Sequence, residues 1–301
     1  DVILASDFVD VARFRGFLPA EWAGVPIVLY FHENQLTYPN RGNEPDLTHG
    51  FANALSCAAV DAVVFNSRFH LEEFRAAVEQ LFVRLPRPSP AGEVRAALDA
   101  ARVVPVGVEL DEIPLGAGPE PGAPLRVVFN HRFEHDKDPV AFLRALVEAR
   151  RTSGGEVELV LLGETYRDAP AGAEELVAEL GSAVVHRGFA PDRGQYARWL
   201  GSADVAVSTA RHEFYGLAVI EAVAAGCLPL APRRLAYPEV LAGMPLYESD
   251  EELVERLVEF MAAPEVARSR DLRAERRDSV AMHDAASTAA ELDSLVEEVR
   301  G

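Results

Sequence analysis

Glu213 and Glu221 stand eight residues apart, the first in a loop after a strand-like run and the second about two turns into the following helix. That spacing turns both carboxylates toward one cleft. Phe214, Tyr215 and Gly216 between them offer backbone amides at a helix N-terminus, where the dipole favours an anion such as a phosphate. The same spacing also reads as two solvated helix charges. Arg132 and Lys137, five apart, fall in a loop joining a strand to a helix, at the carboxyl end of a parallel sheet where α/β folds bind ligands. Both would neutralise a diphosphate. Lys137 is the one lysine among 29 basic residues. An ammonium is a compact point charge and a guanidinium a planar fork, so a lone lysine marks a place where the two are not interchangeable, or else a chance survivor on the surface. Asp136 and Asp138 spell Asp-x-Asp, a pattern that holds a divalent metal in some enzymes. Asp138 precedes a proline and a helix, so capping explains it, and Asp136 has no carboxylate cluster at ligand spacing. No metal is expected.

A second group follows the apolar run VPIVLYFH. His32, Glu33, Asn34 and Gln35 sit at its strand end, placed to face a cleft from another wall. His32 is the candidate for the reacting centre, because imidazole donates or shuttles a proton near neutral pH. An isolated histidine at a strand end serves equally as a structural hydrogen-bonding group. Asn66, Ser67 and Arg68 after the next strand read either as acceptor-placing residues or as a helix cap followed by a solvated arginine. His131 and His212 lie in the proposed loops as candidate contacts, whereas His49, Asn53 and His70 have no partner that sequence identifies. Gly163 ends the run VELVLLG, either for close approach of backbone to a ligand or for the turn itself. Phe51, Phe65, Phe129, Phe142 and Trp199 occur at strand or helix periods and read as core.

The elements that must position these residues alternate. Strand-like LRVVFN (125–130) precedes the helical run PVAFLRALVEARR, opened by Asp138 as N-cap and Pro139 at the first position. VELVLLG, AVVHRGF, DVAVST, CLPLAP and PLYES read as strands; GAEELVAEL, QYARWLGSA, LAVIEAVAAG and EELVERLVEFMAA read as helices. Such alternation predicts βαβ units and a parallel sheet. The first part repeats the pattern with DVILAS, VPIVLYFH and AVVFNS and a helix from His49 to Ala59. The Gly- and Pro-rich GAGPEPGAP predicts a linker near residue 118, giving domains 1–118 and 119–301, with the last helix expected to return to the first domain. The first domain looks short for a doubly wound unit and is expected to begin partway through.

A chain of 301 residues with 49% hydrophobic content supports about two globular domains. Two cysteines give no disulfide framework or zinc spacing. No apolar run reaches the roughly 18 to 20 residues of a transmembrane helix, so no membrane partner and a cytoplasmic location are expected. The net charge of −19 opposes non-specific attraction to phosphate backbones. Residues 68–102 are the exception, with six arginines (68, 75, 84, 87, 95, 102) against five acids (72, 73, 79, 93, 99). Nucleic acid would dock there, unless the segment is an ordinary solvated helix pair.

Taken together, NHRFEHDKDP, LLGE, HRGFAP and RHEFYGLAVIEAVAAGCLPLAP resemble the nucleotide-binding domain of family 4 retaining glycosyltransferases, over about residues 124–264. These are GT-B enzymes, α/β proteins of two Rossmann-like domains with parallel sheets facing across a cleft. The resemblance implies that Arg132 and Lys137 bind the diphosphate and Glu221 the ribose hydroxyls. It also implies that Phe189 sits in the base region and that Glu213, with His212, Gly163 and the backbone of Phe214, Tyr215, Gly216 and Leu217, surrounds the donor sugar. YFHENQLTYP, VFNSRFH, VVPVGVEL and RRLAYPEVL are similar to the glycosyltransferase-like family that includes tRNA-queuosine α-mannosyltransferase. Membership implies transfer of mannose from GDP-mannose, with retention, onto a hydroxyl of queuosine's cyclopentene ring in tRNA. His32, Arg132, Lys137 and Glu213 are the implied catalytic group, and Glu33, Asn34, Gln35, Asn66 and Arg68 the acceptor side. The donor is a substrate, and no cofactor is expected. The alternatives are a family 4 transferase acting on a lipid, glycan or small molecule, and a sugar-nucleotide-binding protein without transferase activity. A phosphorylase would need a pyridoxal-bearing lysine, and Lys137 is the only lysine.

Overall fold

The computed structural model describes residues 1–38, 46–86, 88–163 and 170–301. Pro39, Arg87 and Glu164, which belong to stretches singled out above, lie outside the described residues. The chain divides into two compact units, Asp1–Gly107 with Ala286–Gly301, and Val108–Ala285. The division falls upstream of the boundary expected near residue 118. The reason is that the Gly- and Pro-rich stretch is bonded into the second unit: Gly116 N donates to Ala225 O and Gly118 N to Gly201 O, both at 3.0 Å.

In the first unit, β1 (Ile3–Ser6), β2 (Ile27–Phe31), β3 (Ala62–Phe65) and β4 (Arg102–Val103) form one parallel sheet in that order. All five residues of β2 are buried, and their period of two divides them between two cores. Ile27, Leu29 and Phe31 meet Val11, Ala54, Leu71, Phe74 and Val94 from the helices on one face. Val28 and Tyr30 meet Leu295 of the helix Ala285–Arg300 on the other. Asp10, Asp46 and Ser67 cap three of the helices through side-chain oxygens, which satisfies amides that a helix start leaves bare.

The second unit holds a six-stranded parallel sheet of β5 (Leu125–Phe129), β6 (Val157–Leu162), β7 (Val184–Gly188), β8 (Val205–Val207), β9 (Leu228–Pro232) and β10 (Leu246–Tyr247), in the order β10-β9-β8-β5-β6-β7. The chain runs outward from β5 to β7, then returns to lay β8 against the free side of β5, with Val127 opposite Val205. That reversal is the doubly wound switch point, and it brings the loops leaving β5 and β8 side by side. After β5, Asp138 adopts a left-handed backbone at φ 45° and its Oδ1 accepts from Ala141 N at 3.2 Å. Pro139 then occupies the first turn of the helix Pro139–Ser153, where its missing N–H costs nothing. The apolar face of that helix packs on the sheet and on the helix Asp250–Ala262. The helix Arg270–Ser279 escaped the sequence reading because what it buries is Arg273 and Arg276 rather than an apolar stripe.

Candidate active site

The switch point assembles the charged residues of the second unit. Lys137, in the loop after β5, reaches the loop after β8: its Nζ lies 3.0 Å from Glu213 Oε2, 3.1 Å from His212 O and 3.2 Å from Asp136 Oδ2. An ammonium has three donors, and all three are used. Burial opposes the charge on Lys137, but the Glu213 and Asp136 carboxylates outweigh it and hold the group above its ordinary value. The same pairing overcomes burial at Glu213 and lowers its carboxyl. The other Glu213 oxygen accepts from Tyr215 N at 3.2 Å, so this carboxylate also fixes the loop that leads into the next helix. His131 and His212, beside the pair, are pushed down to about 4, by burial first and by the Lys137 charge second.

The helix Leu217–Ala224 starts at Gly216 and carries no side-chain cap. Gly216 has φ 102°, and a Cβ there would lie 3.1 Å from the Tyr237 ring, so both conformation and space require glycine. Phe214 and Tyr215 are buried, and Tyr215 Oη lies 2.7 Å from His283 Nδ1, a histidine absent from the sequence reading. The side chains of these two residues are therefore enclosed by the fold. Leu217 is exposed.

A pocket of about 540 Å³ opens beside this centre, lined by Asn130, Arg132, Leu162, Gly163, Phe189, Ala190, Pro191, Asp192, Arg193 and Tyr196. Arg132 is half-exposed, 3.3 Å from Glu134. Phe189 stands 71% exposed at the pocket wall, an apolar ring held in water next to a cavity. Gly163 is required by close approach, but to the chain itself: a Cβ there would overlap the His131 carbonyl oxygen. Glu221 does not share a partner with Glu213. Its Oε2 accepts from Tyr196 Oη at 2.6 Å and its Oε1 lies 2.7 Å from Arg193 Nη1.

In the first unit, His32 follows β2 with its ring exposed. Its N donates to Asp7 Oδ1 at 2.9 Å, and Nδ1 is 3.6 Å from the same oxygen. Asp7 is buried and was not foreseen; its one sequence signal is a carboxylate directly after β1. Two of the acceptor-side residues are bonded inside the fold. Asn34 is fully buried, and its Oδ1 accepts from Leu36 N and Thr37 N at 3.0 Å each, so it builds a turn. Asn66 is buried too, donating to His32 O at 2.8 Å and meeting His70 Nδ1 at 2.8 Å, so it supports the His32 backbone. Glu33 and Gln35 hydrogen-bond to each other at 3.3 Å. Ser67 caps its helix through His70 N, and Arg68 is exposed. Three of the six arginines in the basic segment are ion-paired: Arg75 with Glu72 and Asp99, Arg95 with Glu79, and Arg102 with Glu298.

Two units, each built on a parallel sheet, are the architecture of the GT-B fold. Solved structures agree on the fold. A sucrose-phosphate synthase from Thermosynechococcus elongatus superposes with TM-score 0.71 at 21% identity, covering 95% of this chain and 70% of that one. An α,α-trehalose 6-phosphate synthase from Burkholderia multivorans gives 0.72 at 16% identity, covering 100% and 71%. The family described as tRNA-queuosine alpha-mannosyltransferase N-terminal matches residues 1–108, and that described as Family 4 Glycosyltransferase in conflict systems matches residues 89–234. The tRNA-queuosine alpha-mannosyltransferase of Drosophila melanogaster is 32% identical over 277 residues, 89% of this chain and 72% of that protein. The chain belongs to the tRNA-queuosine α-mannosyltransferase family. Among the described residues, no helix is long and apolar enough to cross a membrane.

Proposed function

We propose that the protein transfers mannose from GDP-mannose, with retention of configuration and without a metal, to queuosine in tRNA, in the cytoplasm. The observation that carries this reading is the 32% identity to a tRNA-queuosine mannosyltransferase across 89% of the chain. The geometry of the second unit supports a sugar-nucleotide donor: a pocket beside an exposed phenylalanine, Arg132 in its wall, and a buried Lys137–Glu213 pair at the helix start. On this reading the diphosphate leaves toward Arg132 and the amides that begin the helix Leu217–Ala224. Lys137, its three donors spent on Glu213, Asp136 and the His212 carbonyl, holds the loop that presents those amides, and electrostatic stabilisation of the developing anion supplies most of the catalysis. His32, the exposed member of its network, is the first unit's group for the reacting sugar. No carboxylate is assigned as a covalent nucleophile.

One observation favours a second reading, a family 4 transferase with a non-nucleic-acid acceptor. The net charge is −19, and Arg75, Arg95 and Arg102 already have acidic partners. The test is incubation with GDP-mannose and queuosine-containing tRNA, followed by mass spectrometry of the digested nucleosides. A hexose added to queuosine, absent with the Glu213→Ala variant, is the expected result. Sugar transfer to another acceptor, with tRNA untouched, would favour the second reading. Nucleotide binding with no transfer to any acceptor would leave a binding protein.

A further inference from the structure

Glu221 is held by two residues that the catalytic scheme does not use. Tyr196 Oη donates to its Oε2 at 2.6 Å, and Arg193 Nη1 lies 2.7 Å from its Oε1. The Tyr196 hydroxyl has one proton, and its direction is determined by its neighbours. Asn130 Nδ2 donates to that hydroxyl oxygen at 3.0 Å and to Ala218 O, which can only accept, at 2.6 Å. The Asn130 amide cannot flip without setting its oxygen against that carbonyl, so the tyrosine proton is left for Glu221. The phenol stays a donor, since burial and then the Glu221 charge raise it well above its ordinary value. Arg193 lies over the Tyr196 ring, 5.3 Å from its centroid, and its Nε is 3.3 Å from Glu112. Asn130, Arg193 and Tyr196 all line the pocket.

We propose that Tyr196 and Arg193 are positioning residues that orient the Glu221 carboxylate for the ribose of the donor, with Asn130 setting the tyrosine hydroxyl. The inference rests on the reading that Glu221 accepts from ribose hydroxyls. A carboxylate has about four acceptor sites, and two are taken by donors that fix its plane. The remaining two match a pair of adjacent hydroxyls, which present two donors at once. Rotation of the carboxylate, which would spoil that match, costs both existing bonds.

The test compares binding of GDP and UDP with binding of their 2′,3′-dideoxy counterparts, by calorimetric titration of the full chain. The wild type should prefer the ribonucleotide. Tyr196→Phe keeps the ring and removes the proton, and Arg193→Gln removes the charge. Each should weaken the ribonucleotide by about ten-fold or more, while changing the dideoxy ligand less than about two-fold. Glu221→Gln should give the same pattern. Equal weakening of both ligands in the tyrosine and arginine variants would reduce these residues to fold support and overturn the proposal. So would no change in either, or a wild type that does not distinguish the ligands. If neither diphosphate binds at all, the donor-site reading itself falls, and the proposal with it.

Discussion

Lys137→Met preserves the side-chain stem and removes the ammonium, which leaves the Glu213 and Asp136 carboxylates and the His212 carbonyl converging on an empty point. The three contacts are 3.0, 3.2 and 3.1 Å, and the side chains of Lys137 and Glu213 are only 13% and 17% exposed. Removing one member of a buried pair costs roughly 3–5 kcal/mol, and the residual exposure places this pair near about 3. For a unit of this size, Val108–Ala285, each kcal/mol lowers Tm by about 2–4 °C, so the variant should melt about 6–12 °C lower. Glu213→Gln should also destabilise, but the double variant should be more stable than the sum of the singles predicts, by at least about 1.5 kcal/mol. Lys137→Arg should recover less than half of the loss: a planar fork cannot place one proton on each of three acceptors ranged around a point. Scanning calorimetry of the four proteins of the cycle and of Lys137→Arg measures this. Additivity within about 0.5 kcal/mol, or full rescue by arginine, would refute the argument.

The other predictions concern groups nearby and beneath the site. His131 is buried and lowered from 6.5 to about 4, so its neutral form is favoured in the fold. The resulting stability is complete above pH 6.5 and is lost as pH falls toward 4, by about 2 kcal/mol at pH 5. Glu213, held low, adds loss in the same direction at more acid pH. Urea midpoints between pH 7 and 4 should therefore fall, and His131→Asn should flatten the upper part of that slope. Arg273, 1% exposed, donates to Gly116, Ala203, Gly201 and Ala225 carbonyls at 2.9–3.1 Å, and the last two also accept from the backbone N–H of Gly118 and Gly116; Arg273→Met therefore takes the guanidinium donor from the Gly116 and Ala203 carbonyls and should cost about 2–4 kcal/mol, seen in the unfolding midpoint. Gly163→Ala should force β6 away from the His131 carbonyl, costing about 1–3 kcal/mol and weakening nucleotide binding by titration.

Strands were legible because a parallel strand covered on both faces is a continuous apolar run; β2 is such a run, and β5 and β6 are interrupted only at Arg126 and Glu158. Asp138 with Pro139 was legible because capping is local chemistry. The pairing of Lys137 with Glu213 was not, although both residues were found. It depends on β8 returning to the free side of β5, and strand order leaves no mark on either loop. Tyr196 and Asn130 were hidden for another reason. A tyrosine on an amphipathic helix and an asparagine at a strand end fit ordinary structural roles, and the chain of bonds from Asn130 through the Tyr196 hydroxyl to Glu221 leaves no trace in either segment. Asn34 and Asn66 were ambiguous in the opposite direction. A short polar side chain after a strand serves a ligand or a nearby amide equally well in sequence, and here the amides of Leu36 and Thr37 and the backbone of His32 were the partners. Arginine was the least informative residue of all. With 28 arginines in the chain, exposed Arg68, ion-paired Arg95 and buried Arg273 look alike in sequence. Lysine carried information because its single occurrence falls where three separate acceptors surround one point, a geometry that an ammonium satisfies and a guanidinium does not.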